Sequence, residues 1–357
     1  MTPWMLVPRG DASRAWVWLS PIVAILLTLL AGGALFAAMG TSPLQGLNVF
    51  VVAPLSSVRG WTEVVLKATP LILCGVGLAV CFRANVWNIG AEGQLIAGAI
   101  VGGGIALLAT ADSPRAWFVL VLLASAAGGA LWASITARLR DRFNANEILV
   151  SLMLVYVAQQ LISWLVQDPW RDPNGYGFPQ SELFAAAARV PLIIEGTRVN
   201  VGSVLALVAA AAIWLLLARS VIGFQLKVVG LAPMAARYAG FSSRRSLWTA
   251  LLISGALAGL AGGLEVAGPI GQLTSTISPG YGFAAIIVAF VGRLHPVGVV
   301  LASLVMALFY IGGELAQSRL GLPSALTGVY QGLLLFFLLA CDTLVNYRVQ
   351  LRPTTSA

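Results

Sequence analysis

The chain has 357 residues, 59% of them hydrophobic and 10% charged, with a net charge of +8 and a mean hydropathy of +0.90. A water-soluble domain carries about 25% charged residues, so this composition excludes a protein that covers itself with polar groups. The positive charge is scattered between apolar runs, which argues against nucleic acid as a partner and makes the lipid bilayer the main solvent.

Arg9 and Arg14 precede a charge-free stretch over 15–58. It is too long for a signal-peptide core and shows no cleavage site, so it predicts an uncleaved first span over 16–38. Nine further spans follow, over 63–82, 88–109, 116–137, 147–167, 199–218, 247–267, 281–292, 296–313 and 325–342. Charge-free runs such as 116–137, 148–167 and 199–218 set the scale, each close to the roughly 20 residues that cross a bilayer as a helix. Residues 119–123 do not alternate as barrel strands do. The prediction is an all-α polytopic bundle of about ten spans, with 1–357 forming one transmembrane domain.

With the N-terminus in the cytoplasm, 14 of the 21 basic residues fall on the inner side: Arg9, Arg14, Arg83, Arg138, Arg140, Arg142, Arg219, Lys227, Arg237, Arg244, Arg245, Arg293, Arg348 and Arg352. Only four of the 13 acids, Asp11, Asp141, Glu147 and Asp342, join them. This bias predicts a multi-pass protein with both termini cytoplasmic. Two connections are long. The outer one, 168–198, is rich in turn-forming Asp-Pro and Asn-Gly pairs. The inner one, 219–246, carries five basic residues and no acid.

Spans two to five and seven to ten form two four-span sets of opposite orientation, each with a glycine-broken apolar segment at a similar place. The first is Asn88-Ile89-Gly90-Ala91-Glu92-Gly93-Gln94; the second runs through Gly268-Pro269-Ile270-Gly271-Gln272 to Ser278-Pro279-Gly280-Tyr281-Gly282. Broken helices at matching positions of inverted repeats point to a transport site. Helix packing is the plainer reading for Gly255, Gly259 and Gly263, spaced four apart. Asn88, Glu92 and Gln94 are costly in a packing seam, so they are candidates for a solute path, facing Gln272, Ser278, Tyr281 and Phe283. Glu92 should cap a half-helix, face water or meet a cation, with Arg83 nearest in sequence, and a purely structural tie competes with solute contact. Glu265 is read as structural or mouth-lining, and Lys67 as a helical ion pair of Glu63. Trp87, Tyr281 and Phe283 offer rings on which a base could stack.

In the inner loop, Pro233 opens and Gly240 closes a short helix. One histidine, two lysines and three separate cysteines (Cys74, Cys81, Cys341) leave little material for metal sites or acid–base chemistry. No catalytic residue and no cofactor are expected. No Gly-x-x-x-x-Gly-Lys-Ser/Thr occurs either, so ATP phosphates are not cradled by this chain.

The run from Phe82 to Gln94 resembles the signature of permease subunits of bacterial ATP-binding-cassette importers, the branch serving branched-chain amino acids, monosaccharides and nucleosides. So do Asn146-Glu147-Ile148 with Leu152-Met153-Leu154, Gly230 to Gly240, and Gly280 through Gly292-Arg293-Leu294-His295-Pro296-Val297-Gly298. The likeness covers roughly 60–340 and is greatest to the nucleoside, or simple-sugar, type. It implies an inner-membrane permease that imports a small polar solute, a nucleoside first, with sugars and branched-chain amino acids as alternatives. It also implies a separate ATPase, a second permease subunit (a copy or a paralogue) and an extracytoplasmic solute-binding protein. Ala232, Pro233, Ala235, Ala236, Arg237, Tyr238 and Gly240 would then form the ATPase-docking helix. Two positions depart from the family pattern: Ala232 and Val155 stand where it often has Asn. An ion-coupled transporter would use the same broken helices but would want a buried acid relay, for which only Glu92 and Glu265 are available. An intramembrane enzyme lacks its usual motifs here.

Overall fold

A computed structural model describes residues 4–8 and 14–351; Arg9, Asp11 and Arg352 of the inner basic and acidic sets lie outside the described residues. The chain forms two compact units, one of Val58–Ala307 and one joining the described residues up to Ser57 with those from Leu308.

The larger unit contains α4 (Val58–Arg83), α5 (Ala91–Leu107), α6 (Trp117–Phe143), α7 (Glu147–Gln167), α8 (Val201–Arg219), α9 (Val221–Leu231), α10 (Pro233–Tyr238), α11 (Ser243–Glu265), α12 (Tyr281–Val291) and the start of α13 (Pro296–Leu320). The smaller unit holds α1 (Arg14–Ala38), the short α2 (Pro43–Leu47) and α3 (Ala53–Leu55) joined by a π-helical turn, the end of α13, and α14 (Leu326–Asn346). Helix starts follow from side-chain caps. The Asn146 side chain accepts from Ile148 N–H at 2.9 Å, Asn200 from Gly202 N–H at 2.9 Å and Ser242 from Arg245 N–H at 3.3 Å. Asn144, left-handed at φ 51°, ends α6.

Each of the ten predicted spans contains a helix, and among the described residues eight helices are long and apolar enough to cross a membrane. The two others are α5 and α12, the glycine-broken segments. At ~1.5 Å per residue, α12 covers about 17 Å, half a bilayer. Other details depart from the sequence prediction. Residues 43–55 are helical, a segment too short to register on a 20-residue scale. Its Phe50 is fully buried, stacked at 4.2 Å on Tyr330 and flanked by Phe36 and Phe309. The connection 219–246 also contains the apolar α9. At the chain ends, Trp4–Pro8 (β1) pairs antiparallel with Tyr347–Leu351 (β2), from Trp4↔Leu351 to Pro8↔Tyr347.

The core of the larger unit is a three-helix seam of α5, α6 and α11, built on glycine as the four-residue spacing predicts. A Cβ on Gly259 would lie 2.3 Å from the Ser125 carbonyl oxygen, and one on Gly98 would lie 2.2 Å from the Gly259 Cα. Backbones this close leave no room for a side chain. The seam therefore holds α5 firmly, and α5 carries the first broken segment.

Candidate functional site

The first broken segment turns at Asn85, left-handed at φ 54°, and runs as irregular backbone into α5. Gly90 and Gly93 let it press on α7: a Cβ on Gly90 would stand 2.8 Å from Ser151 Cβ, and one on Gly93 would stand 2.9 Å from Val155 Cα. Val155, one of the two departures from the family pattern, is thus a buried packing residue against α5.

Asn88, fully buried, has all its amide capacity met. Its Nδ2 donates to Gln94 Oε1 and to Ser254 Oγ, both at 3.0 Å. Its Oδ1 accepts from Gly90 N–H at 3.0 Å and from Gln94 Nε2 at 3.1 Å. This knot fixes the irregular segment to the first turn of α5 and to α11.

Glu92, 1% exposed, meets the second broken segment. The Gly282 N–H donates to Glu92 Oε2 at 2.6 Å, and Ser278 and Gly280 also bond the carboxylate. The Ser278 hydroxyl accepts from Gly280 N–H at 3.1 Å and from Tyr281 N–H at 2.9 Å. The N–H groups of Gly280, Tyr281 and Gly282 at the N-terminus of α12 are thereby satisfied by one serine and one carboxylate from the other half-helix. Of the three environments open to Glu92, the structure selects the half-helix cap: negative charge at a helix N-terminus is favoured, and a charge-assisted hydrogen bond strengthens it. Arg83 instead donates to the Leu294 carbonyl at 2.9 Å.

The two glycine-broken segments therefore touch, with Gly282 as the contact point. A Cβ there would lie 2.2 Å from Glu92 N and 2.5 Å from its Cα. Tyr281, fully buried beside it, lies under the Lys67 ammonium, 5.7 Å from the ring centroid. Glu63, which helical spacing pairs with Lys67, receives the Arg198 guanidinium, with Nε at 3.0 Å.

Other predicted path residues lie apart from this junction. Gln272 donates to Gln180 at 3.1 Å, in the long loop 168–198. That loop is stitched to the second broken segment by Ser181 N–H to Leu273 O and Phe184 N–H to Gly271 O, both at 2.9 Å. Phe283 is on the exposed face of α12. Trp87 stacks with Phe290 in the last turn of α12, about 13 Å along the helix from Tyr281. One base cannot reach both rings, which corrects the three-ring expectation. Glu265 is buried where α11 passes into a π-helical turn. Sequence reasoning missed Ser254 and Ser151, and gave Lys67 no role beyond an ion pair with Glu63. Only Lys67, a charge within a span, carried a readable signal.

At the end of the unit where Arg83 lies, α10 stands out from the bundle. Of residues 231–240 only Ala236 is buried, while Met234 (67%) and Tyr238 (89%) are exposed. Gly240, at φ 79°, closes the helix. Ala232 sits at its N-cap with no side-chain bond to give. Gly230 anchors the preceding α9: a Cβ there would meet the Arg83 carbonyl oxygen at 2.1 Å.

Residues 60–339 match the family model described as branched-chain amino acid transport system / permease component. The chain belongs to this permease family. It is 36% identical over 96% of its length to a glucose ABC transporter permease protein of Haloferax volcanii, covering 93% of that protein. It is 33% identical to a guanosine ABC transporter permease protein of Bacillus subtilis, over 89% of this chain and 92% of the other. A nucleoside ABC transporter permease protein of Lactococcus lactis is 28% identical over 90% of each. No solved structure matches. The chain is thus a multi-pass permease subunit of an ATP-binding-cassette importer. Membership in the family implies an ATPase and a substrate-binding protein as partners.

Proposed function

We propose that this permease carries a neutral, hydroxyl-rich solute, a nucleoside first and a simple sugar second, past the junction of α5 and α12 into the cytoplasm. The observation that carries the reading is the meeting of two half-helix starts at Glu92 and Gly282. Such discontinuities are the common setting of transporter sites near the membrane midplane. Asn88, Glu92, Gln94, Ser278 and Tyr281 line the proposed path, with Gln272 and Phe283 toward its margins. The amides and hydroxyls suit a solute without net charge, and Tyr281 is the ring on which a base would stack. The guanosine and nucleoside permeases among its relatives support the nucleoside, and the glucose permease supports the sugar.

In this reading the Arg83 end faces the cytoplasm, the membrane is the inner membrane, and both termini are inside. The ATPase docks on α10 through Met234, Arg237 and Tyr238, with Ala232, Pro233, Ala235, Ala236 and Gly240 shaping the helix. A second permease subunit, a copy or a paralogue, completes the pathway. Uptake of labelled guanosine, uridine, glucose and leucine by cells carrying the whole transporter is the test. Saturable uptake of nucleosides alone, lowered by Tyr281→Ala with normal membrane insertion, is expected. Transport of leucine alone, or a Tyr281→Ala variant with normal uptake, would refute the assignment.

A further inference from the structure

The same end of the larger unit carries a cavity of about 500 Å³ lined by Arg138, Asp141 and Arg142 of α6 and Arg244 and Trp248 of α11. Three guanidinium groups face one carboxylate. Asp141 takes Arg244 Nε at 2.7 Å and Trp248 Nε1 at 3.1 Å, which fixes the α11 wall. Arg138 and Arg142, one turn apart and both exposed, form the other wall. Asp141 balances a single arginine, so the cavity keeps an excess of two positive charges, and its size is that of a small-molecule site.

Its level along the helices identifies the ligand. The charge-free part of α6, residues 117–137, covers about 30 Å, the thickness of the hydrocarbon core. Arg138 and Arg142 follow at once, at the depth of lipid phosphates, and Arg244 precedes the charge-free run 246–264 of α11 at the same depth. The face of α6 leading to the arginines, at spacings of four and three, is Leu131 (67% exposed) and Ile135 (38%). An apolar track ending in paired arginines beside an interfacial tryptophan matches the two ends of one molecule.

The geometry points to a binding site for an anionic phospholipid, with the headgroup phosphate between Arg138, Arg142 and Arg244 and an acyl chain along Leu131 and Ile135. This goes beyond the transport reading and depends on neither the solute nor the direction of transport. The full-length chain in mild detergent, titrated with dioleoyl phosphatidylglycerol or dioleoyl phosphatidylcholine and read by native mass spectrometry, tests it. The anionic lipid should bind at least tenfold more tightly. Each arginine removed should weaken it about fivefold, so Arg138→Gln with Arg142→Gln should cost about 25-fold while phosphatidylcholine is unaffected. Lysine at both positions should restore most of the affinity. If the double variant does not survive purification, Arg142→Gln alone carries the test with its fivefold loss. Equal binding of the two lipids, or full affinity in the glutamine variants, would overturn the site. So would displacement of phosphatidylglycerol by millimolar inorganic phosphate, which would make it a soluble-anion pocket. Lipid retained but ATPase stimulation lost in the assembled transporter would assign the arginines to a protein contact and also sink the proposal.

Discussion

Gly282→Ala should uncouple the two half-helices. The new methyl would stand 2.2 Å from Glu92 N and 2.7 Å from the Ala91 carbonyl carbon, backbone atoms with no rotamer to escape into. Ordinary contact requires about 3.5 Å, so α12 must retreat by roughly 1 Å. The Gly282 N–H to Glu92 Oε2 bond, 2.6 Å in the native chain, would then stretch past hydrogen-bonding range. Overpacking costs about 1–3 kcal/mol and loss of a charge-assisted hydrogen bond about 1.5–3 kcal/mol. A destabilisation of about 3–5 kcal/mol is expected, read as a lower melting temperature of the purified full-length chain. Glu92→Gln keeps an acceptor and should cost less, about 1–2 kcal/mol, because it loses the charge at the helix N-terminus. The double variant should be no worse than Gly282→Ala alone, since both act on one bond. Additive losses, or a Gly282→Ala protein that melts and transports normally, would show that the junction does not couple the helices.

Ala232→Asn should supply the missing N-cap of α10, stabilise it by about 1 kcal/mol, and slow amide exchange over residues 234–239; unchanged exchange would count against the capping argument. Gly259→Leu should abolish properly inserted protein, because the α5–α6–α11 seam has no room for a side chain; near-normal yield by fluorescence size exclusion would contradict the packing. Arg237→Glu should lower solute-stimulated ATPase activity of the assembled transporter at normal expression, and full stimulation would remove α10 from the docking surface. Orientation is testable with single cysteines on a cysteine-free chain. Tyr176, in the loop 168–198, is 98% exposed. Tyr176→Cys should label from outside intact cells and Ser243→Cys only after permeabilisation; labelling of both from outside would refute the topology.

Much of this architecture is legible in the residues because membrane physics makes few solutions possible. Charge-free runs of 20 residues reveal their helices, and the glycine spacing at Gly255, Gly259 and Gly263 reveals the seam they pack in. Glu92 at a half-helix start was also readable, since a buried carboxylate has few stable environments. What escaped depends on distance in the chain. Asn88 meets Ser254 166 residues away and Glu92 meets Gly282 190 residues away. A serine in a glycine-rich seam gives no sign that it will complete an amide's hydrogen bonds. The helical segment 43–55 escaped for another reason: with no charge and little length, it is indistinguishable from a continuation of the first span. Trp87 shows the limit of composition. Its ring suits a base, but its stacking on Phe290 places it a helix length away from Tyr281.

The hydrogen-bond inventory of the junction bears on how a solute would pass. Asn88 spends both amide protons and both acceptor positions on Gln94, Ser254 and Gly90, and Glu92 is engaged by α12. On the proposed path, each bond a hydroxyl makes to these groups replaces one already present. The net gain per exchange then falls below the ~0.5–1.5 kcal/mol of an ordinary protein hydrogen bond. A site of this kind binds weakly, which suits a subunit that receives solute from a binding protein and must release it. It also assigns different work to the two clusters. Asn88 and Gln94 tie the irregular segment to its own helix and to α11, so Gln94→Leu, which leaves the buried Asn88 amide under-satisfied, should reduce folded protein. Glu92 joins two separate half-helices through Ser278 and the backbone donors of Gly280 and Gly282, so separating α12 from α5 breaks these bonds without disturbing the Asn88 knot. Uptake per folded molecule should therefore fall further for Glu92→Gln than for Gln94→Leu. The opposite pattern would place the moving contact at Asn88 rather than at Gly282.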